Sequence, residues 1–219
     1  MKKSMLLGLI SSVLLLGGCG MIEEQGGSGN LQTNKNDDTV AMNDEFTQDF
    51  ISSSEEIEKD FYLYQSMTKG YTMLFPKSAK VEKGSYERNQ NVFESVGILE
   101  EDESTNLSLY YKINYDNQPR ANDIDSNLRL LSTYTNYDGE YEKIVKEGIT
   151  YYYSEHILDY KGRKLYQYFA YIKPNISEVG ASFVGDVTCY DKGKSCSADS
   201  EDLKEKIKKI MFSIEFNSR

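Results

Sequence analysis

Tryptophan is absent from this 219-residue chain, and histidine, proline and cysteine are scarce, with one, three and three copies. The single histidine, His156, excludes a zinc site built on two imidazoles. It leaves one residue to serve as base in a Ser-His-Asp arrangement, and no Gly-x-Ser-x-Gly elbow accompanies it. Its position among tyrosines reads as that of an ordinary strand residue. No glycine-rich phosphate loop occurs. Positive charge is also short, at 25 Lys+Arg against 35 Asp+Glu, so nucleic acid is not an expected partner. Asp123-Ile-Asp125-Ser-Asn127 starts like a calcium loop. It then places Leu128 and Tyr134 where the sharp-turn glycine and the bidentate glutamate belong. The same acids suit the first turn of a helix. Glu100-Glu-Asp-Glu103 reads as a solvated hairpin tip. No catalytic residue, metal ligand or cofactor site emerges, and the chain is expected not to be an enzyme.

What is present begins at the N-terminus. Lys2 and Lys3 precede a mostly apolar run from Met5 to Leu16, closed by Gly17, Gly18 and Cys19. Basic, apolar and small residues in that order make a secretion signal. The run is too short for a transmembrane helix, which needs about 20 apolar residues. Leu16-Gly17-Gly18-Cys19 resembles the lipobox of bacterial lipoproteins. The resemblance implies a signal peptide over residues 1–18 and diacylglycerol on the Cys19 thiol. The membrane partner is then the lipid anchor itself, palmitate-bearing and on the extracytoplasmic face of the cell membrane. Two acyl chains anchor stably where one is marginal.

Behind Cys19 the composition changes once. Residues 19–60 carry 11 acidic and 2 basic side chains, whereas residues 61–219 carry 24 and 21. The first stretch has too little apolar surface to offset chain entropy and reads as a flexible acidic tether, repelled by anionic headgroups. Phe46, Phe50 and Ile57 permit a short helix within 43–58. From Phe61 on, about 160 residues suffice for one domain with one core. In an exported protein Cys189 and Cys196 are expected to form a disulfide across a polar loop, with two free thiols as the alternative. Their C-x6-C spacing does not suit a redox site.

Strand signals dominate the domain. Phe61–Ser66 and Tyr71–Phe75 flank the turn Thr68-Lys69-Gly70. Leu107, Leu109, Tyr111, Ile113 and Tyr115 alternate with polar residues, the period of a half-buried strand. Val92–Leu99, Tyr141–Lys146, Ile149–Tyr160, Arg163–Lys173, Val179–Cys189 and Phe212–Phe216 complete the set. Ile124, Leu128 and Leu131 mark a helix over 121–132. Ser200 caps a second helix running to Met211, with Leu203, Ile207, Ile210 and Met211 as its stripe. This order predicts an α+β domain, one antiparallel sheet with two main covering helices. Gly70-Tyr-Thr-Met-Leu-Phe-Pro76 and Lys208-Lys-Ile-Met-Phe-Ser-Ile-Glu-Phe216 resemble the opening and closing segments of PsbP-like proteins. The aromatic that follows the opening proline in that family is missing here. The resemblance implies a PsbP-like sandwich with a binding or assembly role and no shared catalytic residues.

Tyrosine is abundant, with 18 copies. Tyr151, Tyr152 and Tyr153 are consecutive, so each sheet face receives at least one. Tyr151, Tyr153, Tyr166 and Tyr168 form the candidate binding face, an aromatic platform for an envelope protein or glycan. Strand propensity on a half-buried sheet is the plainer account of the same residues. The expected function is a lipid-anchored, non-enzymatic binding or assembly module of the cell envelope. The alternative is a small solute-binding lipoprotein serving a transporter.

Overall fold

A computed structural model describes residues 38–160, 162–191 and 193–217. Residues 1–37, which include the expected signal segment and Cys19, lie outside the described residues. Two short helices come first, α1 (Val40–Asn43) and α2 (Glu45–Gln48). Six strands follow: β1 (Phe61–Gln65), β2 (Tyr71–Pro76), β3 (Ala79–Val81), β4 (Glu87–Asn89), β5 (Phe93–Asp102) and β6 (Leu107–Asp116). After α3 (Ile124–Thr135) come β7 (Glu142–Lys146), β8 (Ile149–Tyr160), β9 (Arg163–Pro174) and β10 (Gly180–Cys189). The last elements are α4 (Glu201–Phe212) and β11 (Glu215–Phe216).

The strands make two antiparallel sheets. A small one has the order β1-β2-β11, and a large one β3-β5-β6-β10-β9-β8-β7, with β4 also paired to β5. This corrects the expected α+β, PsbP-like arrangement of one antiparallel sheet with two main covering helices. The architecture is a β-sandwich. The inner face of the large sheet, with Ile98, Tyr111, Ile113, Tyr115 and Phe183, shares one core with the small sheet, and α4 packs beside the latter. On the outer face α3 lies against β9 and β10. Period-two patterning marks a strand but not its neighbour, so sheet membership was not readable. Aromatic rings join the layers: Phe50 stacks on Tyr64 at 5.5 Å, Tyr64 on Tyr71 at 5.6 Å, and Tyr71 lies against Tyr115 of the large sheet at 5.5 Å. Burying such rings contributes about 1.5–3 kcal/mol each.

Several local features were readable. Ser200 caps α4 by accepting the Leu203 N–H, and Asp123 caps α3 by accepting the Ser126 N–H, so the calcium-like run is a helix start. Glu147 and Gly148, at φ 51° and 80°, form the two-residue turn between β7 and β8, the mirror-image turn that matches strand twist. Others differ from expectation. The three-residue strands β3 and β4 gave no sequence signal. The stretch read as tether is packed from Ala41 on, with Ala41 and Phe50 buried and the Thr47 hydroxyl accepting the Val81 N–H at 2.8 Å.

Two buried carboxylates tie the layers together. Glu94 fills the β1–β2 turn, accepting the Tyr64 hydroxyl at 3.0 Å and the backbone N–H groups of Met67 and Thr68 at 3.1 and 2.7 Å. Glu100, expected at a solvated tip, is 6% exposed. It accepts Lys206 of α4 at 2.5 Å, Ser78 at 2.5 Å and Tyr111 at 3.0 Å. An interior carboxylate is tolerated when its oxygens are bonded in this way. The close seat of α4 also needs Gly185 of β10, where an added Cβ would lie 2.6 Å from Ile207 Cγ2.

Candidate functional site

The tyrosines chosen from the sequence do not form an open face. Tyr151, Tyr153 and Tyr168 are 1%, 5% and 6% exposed and belong to the core, with Tyr166 half-buried against it. Register explains the correction. Tyr151 and Tyr153 of β8 pair with Ile172 and Ala170 of β9, and Tyr166 and Tyr168 pair with Ile157 and Glu155. That parity points them to the α4 side. The Tyr151 ring meets Phe212 edge-on at 4.8 Å, and the Lys208 ammonium sits 5.3 Å from the Tyr153 ring. Burial first, then the charges of Glu147 and Glu215, pushes the Tyr151 phenol up to about 12.

The opposite parity faces outward and is only partly covered. A cleft of about 990 Å³ lies between α3 and the β4–β5–β6 side of the large sheet. Register lines up Glu87, Ser95, Asn114, Ser182 and Tyr171 in one row across five strands. Within it Ser95 Oγ donates to Asn114 Oδ1 at 2.7 Å, and Asn114 Nδ2 donates to Ser182 Oγ at 3.1 Å. The next row holds Asn89, Phe93, Asp116 and Gly180. Asp116 Oδ2 accepts Arg120 Nε, while Asp116 Oδ1 is buried without a partner among the described residues. Burial first, then the Asp116 charge, raises the Tyr171 phenol, whose hydroxyl donates to the Ala121 carbonyl at 2.7 Å.

The α3 wall has a different character. Leu131 is buried with Phe169, Tyr171 and Val184. Leu130 and Tyr134, one turn apart, line the cleft and stay 68% and 57% exposed. Partial burial, then the charge of Asp186, raises the Tyr134 phenol. The sequence held this signal: the stripe of Ile124, Leu128 and Leu131 left Leu130 and Tyr134 on the outward side of the same helix.

A third outward row carries the only histidine. Tyr110, Asp186, Gln167 and His156 are aligned across β6, β10, β9 and β8. Gln167 Nε2 donates to Asp186 Oδ1 at 2.8 Å, and Gln167 Oε1 faces His156 Nε2 at 2.8 Å. An ionised carboxylate only accepts, which fixes the amide orientation and places the imidazole proton on Nε2. Burial raises the Asp186 carboxyl against the opposing pull of the Gln167 bond and His156. Tyr137 and Phe169 flank the imidazole edge-on at 5.2 and 5.5 Å. Ser154, two residues along the same strand face, instead bonds to the Tyr137 hydroxyl and the Glu140 carbonyl. Its bonds therefore do not pair it with His156 as a nucleophile with its base. Among the described residues, no group of three or more His, Cys, Asp or Glu could hold a metal ion, and no helix is long and apolar enough to cross a membrane.

Cys189 and Cys196 are bonded, with their Cα atoms 5.6 Å apart. The loop between them is tied down by Asn106, a residue the sequence did not single out. Asn106 Nδ2 donates to the carbonyls of Asp191 and Lys194 at 3.2 and 3.0 Å, and its Oδ1 accepts the Asp191 N–H at 2.7 Å.

Residues 37–215 match the family described as "Putative lipoprotein YvcA". The Bacillus subtilis (strain 168) protein of that name is 29% identical over 236 residues, covering 99% of this chain and 97% of that one. A crystal structure from Bacteroides thetaiotaomicron VPI-5482 is 12% identical with a TM-score of 0.42, covering 72% of this chain and 48% of that one. Because the family match extends over most of the sequence, the chain belongs to this lipoprotein family.

Proposed function

We propose that the protein is a lipid-anchored, non-enzymatic binding module of the cell envelope, with its ligand held in the cleft between α3 and the outer face of the large sheet. The observation that carries this reading is the cleft itself. Its volume of about 990 Å³ lies in the range of ligand pockets, and its walls combine hydrogen-bonding side chains with exposed apolar ones. Membership of the lipoprotein family and the Leu16-Gly17-Gly18-Cys19 lipobox support diacylglycerol on Cys19 as the anchor, facing the extracytoplasmic side. The partner is an envelope component reached from that anchor.

A photo-crosslinking amino acid at Leu130 tests the cleft in intact cells. The same probe at Val145, 60% exposed on the edge strand β7, is the control. A discrete adduct is expected from position 130 and none from position 145. Equal adducts from both positions, or none from position 130, would remove the cleft as the binding site.

A further inference from the structure

We infer that the ligand of this cleft is a neutral saccharide, a refinement that rests on the cleft being the binding site. Charge excludes one class first. Glu87, Asp116 and Asp123 line the cleft against one cation, Arg120, which is already bonded to Asp116. Phosphates, polyanionic polymers and acidic peptides are repelled by that balance. Shape and polarity exclude a second class. The sheet offers Asn89, Asn114 and Ser182 and the turn after β6 adds Gln118, so a purely apolar ligand would strip water from these groups without replacing their hydrogen bonds.

An extended peptide is the remaining competitor. Peptides that bind sheets do so by adding a strand to an edge, where backbone groups are free. The floor of this cleft is a sheet face, and its backbone is engaged in the β5–β6–β10–β9 ladders. It therefore offers side chains. Asn89 and Gln118 make no side-chain hydrogen bond among the described residues, so each amide has a donor and an acceptor to give. Paired donors and acceptors of this kind match vicinal hydroxyls. Across the cleft, Leu130 and Tyr134 present apolar surface that stays exposed. A pyranose ring has the corresponding anatomy, with hydroxyls around its edge and C–H groups on its faces. A tyrosine ring can lie on such a face while its hydroxyl stays wet.

The test is titration of the purified full chain in detergent micelles with two neutral probes, an N-acetylglucosamine tetramer and a glucose tetramer. A lysine-containing tetrapeptide and tripolyphosphate serve as competitors of other classes. Saturable binding of at least one sugar is expected, with no binding of tripolyphosphate. Tyr134→Ala and Asn89→Ala, both at exposed positions, should each weaken sugar binding about tenfold, while Val145→Ala leaves it unchanged. Circular dichroism melts should show both cleft variants folded. Binding of neither sugar, or sugar binding that survives both cleft substitutions, overturns the saccharide. Peptide binding that Tyr134→Ala abolishes, with no sugar binding, also overturns it while leaving the cleft as the site. Loss of the Leu130 crosslink in cells removes the cleft and the saccharide together.

Discussion

At Asp186 the environment of one residue becomes a property of the whole chain. Burial raises its carboxyl above the ordinary range, and the Gln167 bond and His156 only partly oppose this. The folded state therefore binds the Asp186 proton more tightly than the unfolded state does. Its contribution to stability is fully present below the unfolded value of about 3.9 and is lost as pH rises through the higher folded value. Asp186→Asn keeps an acceptor for Gln167 and removes the buried charge. The variant is expected to be more stable than the native chain at pH 7 and to lose that advantage at pH 3.5. Thermal melts at both values check this. An equal difference at both pH values would mean that Asp186 does not titrate between them. Nothing in the sequence singled out Asp186 or Gln167, because the row exists only once three strands are in register.

At the scale of elements, the hairpin of β5 and β6 holds the disulfide loop. Asn106 sits in that hairpin's turn at φ 56°, a left-handed conformation that asparagine tolerates better than most residues, and it is 6% exposed. Asn106→Ala removes the bonds to residues 191 and 194 and puts an alanine at a left-handed φ. It should cost about 2–3 kcal/mol in urea denaturation, comparable to the loss from Cys196→Ser in the chain-entropy picture of a short loop. An Asn106→Ala variant as stable as the native chain would show that the disulfide alone fixes the loop. The cysteine pair was legible because compartment and count left no other partner, whereas Asn106 was not, being remote in sequence from the loop it holds. The same division runs through the fold. Alternation in β6 and the caps of α3 and α4 are local and were readable. The parity that turns Tyr151 and Tyr153 inward depends on which layer covers which face, and tyrosine suits either side.

For the molecule as a whole, the decisive question is where the folded unit begins. Composition placed the boundary at Phe61, because residues 19–60 are acidic and poor in apolar side chains. The structure packs α1, α2 and the following turn into the core. Phe50 is 1% exposed and stacks on Tyr64, and Gln65 donates its backbone N–H to the Phe50 carbonyl at 2.8 Å. Phe46 meets both Phe50 and Tyr86 edge-on at 5.3 and 5.7 Å. The family match, which starts at residue 37, agrees with this earlier beginning. A few apolar residues at irregular spacing suffice here because they plug a hole between layers built by the rest of the chain. Truncating a core phenylalanine costs about 3–5 kcal/mol, and a domain's total stability is about 5–15 kcal/mol. A fragment of residues 61–219 loses Phe50, Ala41 and the Thr47–Val81 bond together, so it should lack a cooperative melt and be digested rapidly by protease. A fragment of residues 38–219 should melt cooperatively, and Phe50→Ala within it should lower the midpoint without abolishing the transition. If residues 61–219 alone melted within a few degrees of the longer fragment, residues 38–60 would be tether after all, and their packing would contribute nothing to the fold.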